Sequence, residues 1–117
     1  MDLKSISQNA KHASSILKAM SNCHRLMVLC QLVNGEKSVG ELEEFIGLSQ
    51  SALSQHLAKL RRGELVKTRR QAQTIYYSLN GDEAAHIIKA LYIICSADNE
   101  SDTPITSDKP PKRAATT

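Results

Sequence analysis

Aromatic residues are scarce in this chain: 117 residues include no tryptophan, one phenylalanine and three tyrosines. Such a composition suits a helical core packed through Leu, Ile, Val and Ala better than one built from strands. Long apolar runs are missing as well. Nothing approaches the length of a membrane-spanning helix, and the N-terminus has no apolar signal segment, so a cytoplasmic location is expected. Cysteine is limited to three residues, and an odd count in a reducing compartment argues against a permanent disulfide framework. The thiols remain candidates for core filler, metal ligands or redox-active groups. No internal repeat, phosphate-binding loop, nucleophile elbow or nucleophile–base arrangement is found, so neither an enzyme nor a bound cofactor is expected. The length allows one domain with a modest core, to which dimerisation would add burial; a homodimer is expected.

What is present is charge asymmetry. The net charge is +3, but six basic residues against Glu64 alone lie between Lys59 and Gln73, whereas four glutamates against Lys37 lie between Glu36 and Gln50. A local basic excess matters more to a polyanionic partner than the total does. It borders the most informative stretch, Leu48 to Arg62. There Leu53, Leu57 and Leu60 recur at i, i+4 and i+7 to form an apolar stripe, and Ser51, Ser54, Gln55 and Arg62 occupy the other side. Ser49 stands at the N-cap, and Gly47 permits a tight bend from a preceding helix. One face packs and the other is free to meet base edges, which makes a helix-turn-helix motif.

The remaining chain supplies its surroundings. Leu3 to Met20 reads as one amphipathic helix with Ile6, Ala10, Ala13, Leu17 and Met20 inward. Cys23 to Val33 is densely apolar at Leu26, Met27, Leu29, Cys30 and Val33, and ends at Asn34-Gly35, so it reads as a buried helix. Ser38 and Glu41 match a capping box that opens a short helix to Ile46, with Val39, Leu42 and Phe45/Ile46 inward. After Gly63, Leu65 to Arg70 and Thr74 to Leu79 read as strands of a hairpin around Gln71-Ala72-Gln73. Asn80 with Glu83 marks a further capped start. The helix from Asp82 to about Ala97 carries Ala84/Ala85, Ile88, Leu91/Tyr92 and Cys95 at heptad-like spacing, a candidate dimer seam. From Asp98 the periodicity stops and all three prolines appear, which divides the chain into a domain over 1–97 and a disordered tail over 98–117.

This order of elements is that of a winged helix-turn-helix, mainly α with a small β-hairpin wing. Together with Leu17 to Asn22, Arg25-Leu26, Val39 to Leu42 and Leu48 to Leu57, it closely resembles the ArsR/SmtB family of dimeric bacterial repressors over roughly Ala13 to Cys95. Cys30 after Val28-Leu29, the run Gln71 to Tyr77 and the run Leu91 to Cys95 resemble its BigR/SqrR/HlyU/YgaV branch. That resemblance implies a sensor of persulfides and related reactive sulfur, with Cys30 and Cys95 as the thiol pair and sulfide-detoxification genes as targets. It also implies that the helix bearing Cys95 packs beside the one bearing Cys30. The metal-sensing branches are not reproduced: Ser38-Val39-Gly40-Glu41 holds no thiol, and Asp82 with His86 is not the zinc set. No metal is expected, and Cys23 has no assigned role.

For DNA, the resemblance places the reading helix in the major groove. Gln pairs bidentately with adenine and Ser with several base edges, so Gln50, Ser51, Ser54 and Gln55 are the direct-reading candidates. His56 lies beside the apolar stripe, where packing or a phosphate contact fits better than base reading. Arg62 on the helix and Lys67, Arg69, Arg70 and Gln73 on the hairpin complete the expected DNA-binding set, and their charge favours affinity over sequence choice. Two readers in a dimer would favour an inverted repeat in double-stranded DNA. For sensing, a thiolate attacks sulfane sulfur and a second thiol traps the product as a polysulfide bridge, which would move the last helix and the spacing between readers. A thiophilic metal or an oxidant as inducer, relief of silencing by another DNA-binding protein, a thiol enzyme, and a winged helix used only for protein contacts are the competing readings.

Overall fold

A computed structural model describes the backbone of residues 2–102 and the side chains as far as residue 96. In chain order, α1 (Leu3–Gln8), α2 (Ala10–Met20), α3 (Cys23–Val33), β1 (Lys37–Ser38), α4 (Val39–Ile46), α5 (Gln50–Arg62), β2 (Val66–Gln71), β3 (Thr74–Leu79) and α6 (Glu83–Asp102) follow one another. The architecture is mostly helical with a small antiparallel sheet, as expected. The hairpin gains a third strand that the sequence had not announced: β1 pairs with β3, giving the order β1-β3-β2. Two residues without alternation carry no strand signal of their own, and only the exposed edge of β3 makes a strand of them.

The core is aliphatic. Leu29, Leu42, Leu53, Leu57, Leu60, Leu65 and Val28 are fully enclosed, drawn from α3, α4, α5 and the start of the wing. The leucine stripe of α5 is wholly inside, and so are Leu42 and Ile46 of α4. The capping box on α4 forms as its sequence requires: Ser38 Oγ accepts from the Glu41 amide at 3.1 Å, and Glu41 Oε1 accepts from the Ser38 amide at 2.8 Å. Gly47 then turns the chain at φ 83°, in the left-handed region where a β-carbon is penalised.

Several inward assignments are corrected. The first helix is two, because Asn9 turns its side chain back to the Ser5 carbonyl at 2.9 Å and its own backbone N–H caps α1, the local competition with helix continuation that asparagine offers. Of the stripe assigned there, only Met20 is buried, joined by Ile16, while Ile6 and Leu17 are exposed. In α3 the inner face is Arg25, Val28, Leu29 and Leu32, and Cys30 lies outside. A helix apolar on nearly every side leaves its phase open, and the neighbours choose it. Phe45 is 56% exposed because Ile46, one turn beyond Leu42, takes the inner place.

Asn80 does not cap the last helix; its side chain donates to the Glu64 carbonyl at 3.1 Å and its backbone N–H to that of Leu65, fastening the wing's end to its beginning. α6 continues past Ala97 to Asp102. No glycine or proline interrupts that stretch, and the first proline of the chain is Pro104. The tail assigned to 98–117 lies, from residue 103 on, outside the described residues. Among the described residues no helix is long and apolar enough to cross a membrane.

Candidate nucleic-acid interface and paired thiols

The reading helix is presented by its own chemistry. Ser49 caps α5 through its hydroxyl, which accepts from the Ala52 amide at 3.2 Å. With the leucine stripe held inside, helical geometry obliges Gln50, Ser51, Ser54, Gln55 and Arg62 to lie outside, and all five are exposed. They form a surface of short donors and acceptors at the N-terminal half of the helix with a guanidinium at its end. In such a surface an amide side chain can pair with both the N6 donor and the N7 acceptor on the major-groove edge of an adenine.

His56 behaves differently. It is half-buried, and its Nδ1 accepts from the Arg25 guanidinium at 3.3 Å. Its ring lies 5.6 Å, centroid to centroid, from that of His24, tilted by 34°. Partial burial holds its pKa below the usual histidine value, and the charges of Arg25, His24 and Lys59 add to the effect. A neutral imidazole accepting from Arg25 is therefore a joint between α3 and α5, occupied with the protein itself.

Arg25 is the anchor of that joint and was not singled out as a site residue by sequence reasoning. It is 8% exposed. Its Nε donates to the Ala19 carbonyl at 2.6 Å, and a terminal nitrogen lies 3.5 Å from the Ser21 carbonyl. These oxygens stand at the C-terminal end of α2, where carbonyls lack helical partners and the helix dipole favours a cation. A signal was available: Arg25, Val28, Leu29 and Leu32 sit at i, i+3, i+4 and i+7, which puts a charge at the head of an otherwise apolar stripe.

On the wing, β2 and β3 pair from Val66↔Leu79 to Gln71↔Thr74 around a two-residue turn in which Ala72 adopts φ 57°. Lys67, Arg70 and Gln73 are exposed there. Arg69 is exposed too, but its fork is engaged: Nε donates to Glu36 Oε2 at 2.8 Å, one terminal nitrogen to Glu36 Oε1 at 2.9 Å and the other to Gln71 Oε1 at 2.8 Å. Its guanidinium carbon stands 4.5 Å from the centre of the Tyr76 ring. The Arg69 hydrogen bond holds the Glu36 carboxyl below its usual range. Glu36 is the second residue that sequence reasoning missed, since only the sheet brings positions 36 and 69 together.

The thiols form a separate feature. Cys23, Cys30 and Cys95 are all exposed, so none is core filler. Cys23 opens the first turn of α3. Cys30, one turn from the end of α3, comes within electrostatic range of Cys95 on α6, because these two helices pack together. Partial desolvation of the sulfur pushes the Cys30 thiol up, and the charge of Cys95 pushes it further. Beyond Ile88, α6 turns apolar side chains outward: Leu91, Tyr92, Ile93 and Ile94 are all exposed. His12 of α2 meets Glu83 of α6 at 3.0 Å, so the exposed Leu17 and the apolar end of α6 belong to helices that touch.

Comparison with known proteins places this arrangement. Residues 23–68 match the family profile HTH_5, described as "Bacterial regulatory protein, arsR family". The chain is 48% identical over 99 residues to the transcriptional activator HlyU of Vibrio cholerae, covering 84% of this chain and 92% of that protein. The structure is similar to that of the transcriptional repressor BigR from Xylella fastidiosa, with a TM-score of 0.77 and 44% identity over 80% of this chain and 96% of the other. It is also similar, with a TM-score of 0.68 and 25% identity over 78% of this chain and 84% of the other, to a homodimeric winged helix-turn-helix DNA-binding domain from Mycobacterium bovis.

Proposed function

This chain belongs to the ArsR family of bacterial transcriptional regulators, and from that premise we propose that it is a homodimeric repressor released from its operator when reactive sulfur links Cys30 to Cys95. It is a DNA-binding regulator with a winged helix-turn-helix. α5 reads an inverted repeat through Gln50, Ser51, Ser54 and Gln55, while Arg62, Lys67, Arg70 and Gln73 engage backbone phosphates and the neighbouring groove. The apolar ends of α2 and α6 form the seam between protomers, since exposed apolar patches of this kind mark association surfaces.

The observation that carries the sensing part is the approach of two exposed thiols on α3 and α6. Each thiolate takes sulfane sulfur from an organic persulfide, releasing the corresponding thiol, and the two protein persulfides then join as a tetrasulfide. That last step gives up two electrons and two protons, which a further persulfide accepts in becoming a thiol and hydrogen sulfide. A bridge of four sulfurs separates α6 from α3, shifts the seam and changes the distance between the two readers.

Intact-mass spectrometry with peptide mapping of the anaerobically reduced protein, before and after an organic persulfide, tests this. A gain of two sulfurs with loss of two hydrogens, mapped between Cys30 and Cys95 and accompanied by loss of DNA binding, is expected. A cross-link confined to Cys23, or none, would overturn the sensing reading and leave the DNA-binding assignment in place. The relative from Vibrio cholerae is called an activator, which favours a second reading of the output: the same DNA binding would lift silencing imposed by another protein.

A further inference from the structure

Glu36 holds the Arg69 guanidinium in the two-pronged geometry by which arginine also binds a phosphate. Tyr76 lies beneath the guanidinium plane and Gln71 takes the remaining terminal nitrogen, so Arg69 has a partner on each exposed side of its fork. The register explains the reach. Arg69 stands opposite Tyr76 on β3, which in turn stands opposite Ser38 on β1. Residues opposite one another share a face of a sheet, and so do residues two apart along a strand. Arg69, Tyr76 and Glu36, which precedes β1, therefore line one face across the whole width of the wing.

We propose that Glu36 acts as an internal phosphate mimic that withholds Arg69 from the DNA backbone and so lowers the sequence-independent part of DNA affinity. This rests on the DNA-binding reading and deepens it. Exchange of Glu36 for a phosphate would leave a bare carboxylate beside a polyanion, so the fork stays with Glu36 when DNA is bound. Arg70, the neighbouring cation, has no carboxylate partner among the described residues and remains available to phosphate. A phosphate contact favours every DNA sequence alike. Withholding one therefore lowers affinity for an operator and for other DNA by the same factor, leaves the ratio between them unchanged, and keeps binding weak enough for an inducer to reverse.

The test is the salt dependence of binding to a random-sequence duplex, measured by fluorescence anisotropy between 50 and 200 mM salt, on the order of one decade or less of ionic strength. Glu36→Gln keeps an uncharged acceptor in place. It is expected to bind more tightly than wild type and to steepen the slope of log K against log salt by about 0.9, one additional phosphate. Its advantage over wild type should shrink by roughly three- to four-fold across that range. The double variant Glu36→Gln with Arg69→Gln has the net charge of wild type, and its slope should return to the wild-type value. A Glu36→Gln slope equal to that of wild type would overturn the proposal. So would a double-variant slope shallower than wild type by about one, because Arg69 would then already be counted among the phosphate contacts. Wild-type protein without any salt-dependent binding would instead remove the DNA-binding reading itself.

Discussion

Arg25 donates to His56 across 3.3 Å, joining the start of α3 to the middle of the reading helix. The acceptor must be a neutral imidazole, and its surroundings disfavour the charged form: partial burial first, then Arg25, His24 and Lys59. The native pKa thus lies below that of the unfolded chain. Its contribution to stability is complete above the unfolded value, near 6.5, and is lost as pH falls through the folded value. Thermal stability should decline between about pH 7 and pH 5. His56→Gln, which keeps an acceptor for Arg25 but cannot be protonated, should flatten that part of the decline in a melting series, and an unchanged decline would show that other groups cause it.

Base reading and phosphate contact are separable on this surface. On the proposed reading, Gln55→Ala removes a bidentate partner of a base and should reduce the preference for operator over random DNA by about 1–3 kcal/mol. Arg70→Ala should weaken both kinds of binding together and make the salt slope shallower by about one. Parallel titrations of the two duplexes distinguish these outcomes; an unchanged specificity ratio in Gln55→Ala would remove that residue from the reading set.

Cys30 carries a thiol raised by partial desolvation and, to a smaller extent, by Cys95. Cys95→Ser removes the second cause alone. Alkylation of Cys30 by iodoacetamide at a pH where both thiols begin to ionise, followed by mass spectrometry, should then proceed faster than in wild type. A rate that does not change would mean that the two sulfurs do not sense one another.

The end of the reading helix offers a pair of opposite stability effects. A β-carbon on Gly63 would meet that of Ala19 at 3.0 Å, where α2 crosses α5. Gly63→Ala should therefore cost about 1–3 kcal/mol through overpacking. The residue in the left-handed region is Glu64, at φ 61°, so Glu64→Gly should gain on the order of 0.5–1 kcal/mol by relieving that conformation. Urea midpoints of the two variants should move in opposite directions.

The correspondence between sequence and structure depends on the kind of information each element carries. α5 and α4 were legible almost to the residue, because Ser49, the Ser38–Glu41 box, Gly47 and the leucines at 53, 57 and 60 are local signals that agree with one another. The wing was legible through its β-branched residues and short polar turn. The inward face of α3 was not, because a helix apolar on most sides lets its neighbours choose the phase. Phe45 and Leu17 were assigned inward because apolarity alone does not say whether a partner is available, and among the described residues none covers them. The exposed serines and glutamines of the reading surface followed directly from the buried stripe opposite them.

The succession from α3 through α4 and α5 to the wing hairpin, the caps at Ser38 and Ser49, the exposed polar face of α5 and the local excess of positive charge follow from the amino-acid sequence by itself, since each depends on residues a few positions apart. Tertiary structure alone decided which groups at distant positions come near one another: Arg25 and His56 within hydrogen-bond distance, Glu36 and Arg69 likewise, and Cys30 within the electrostatic reach of Cys95. Hydrogen bonds and charge interactions act over a few ångströms, and for residues 31, 33 or 65 positions apart only the packing of helices and the register of strands sets that separation.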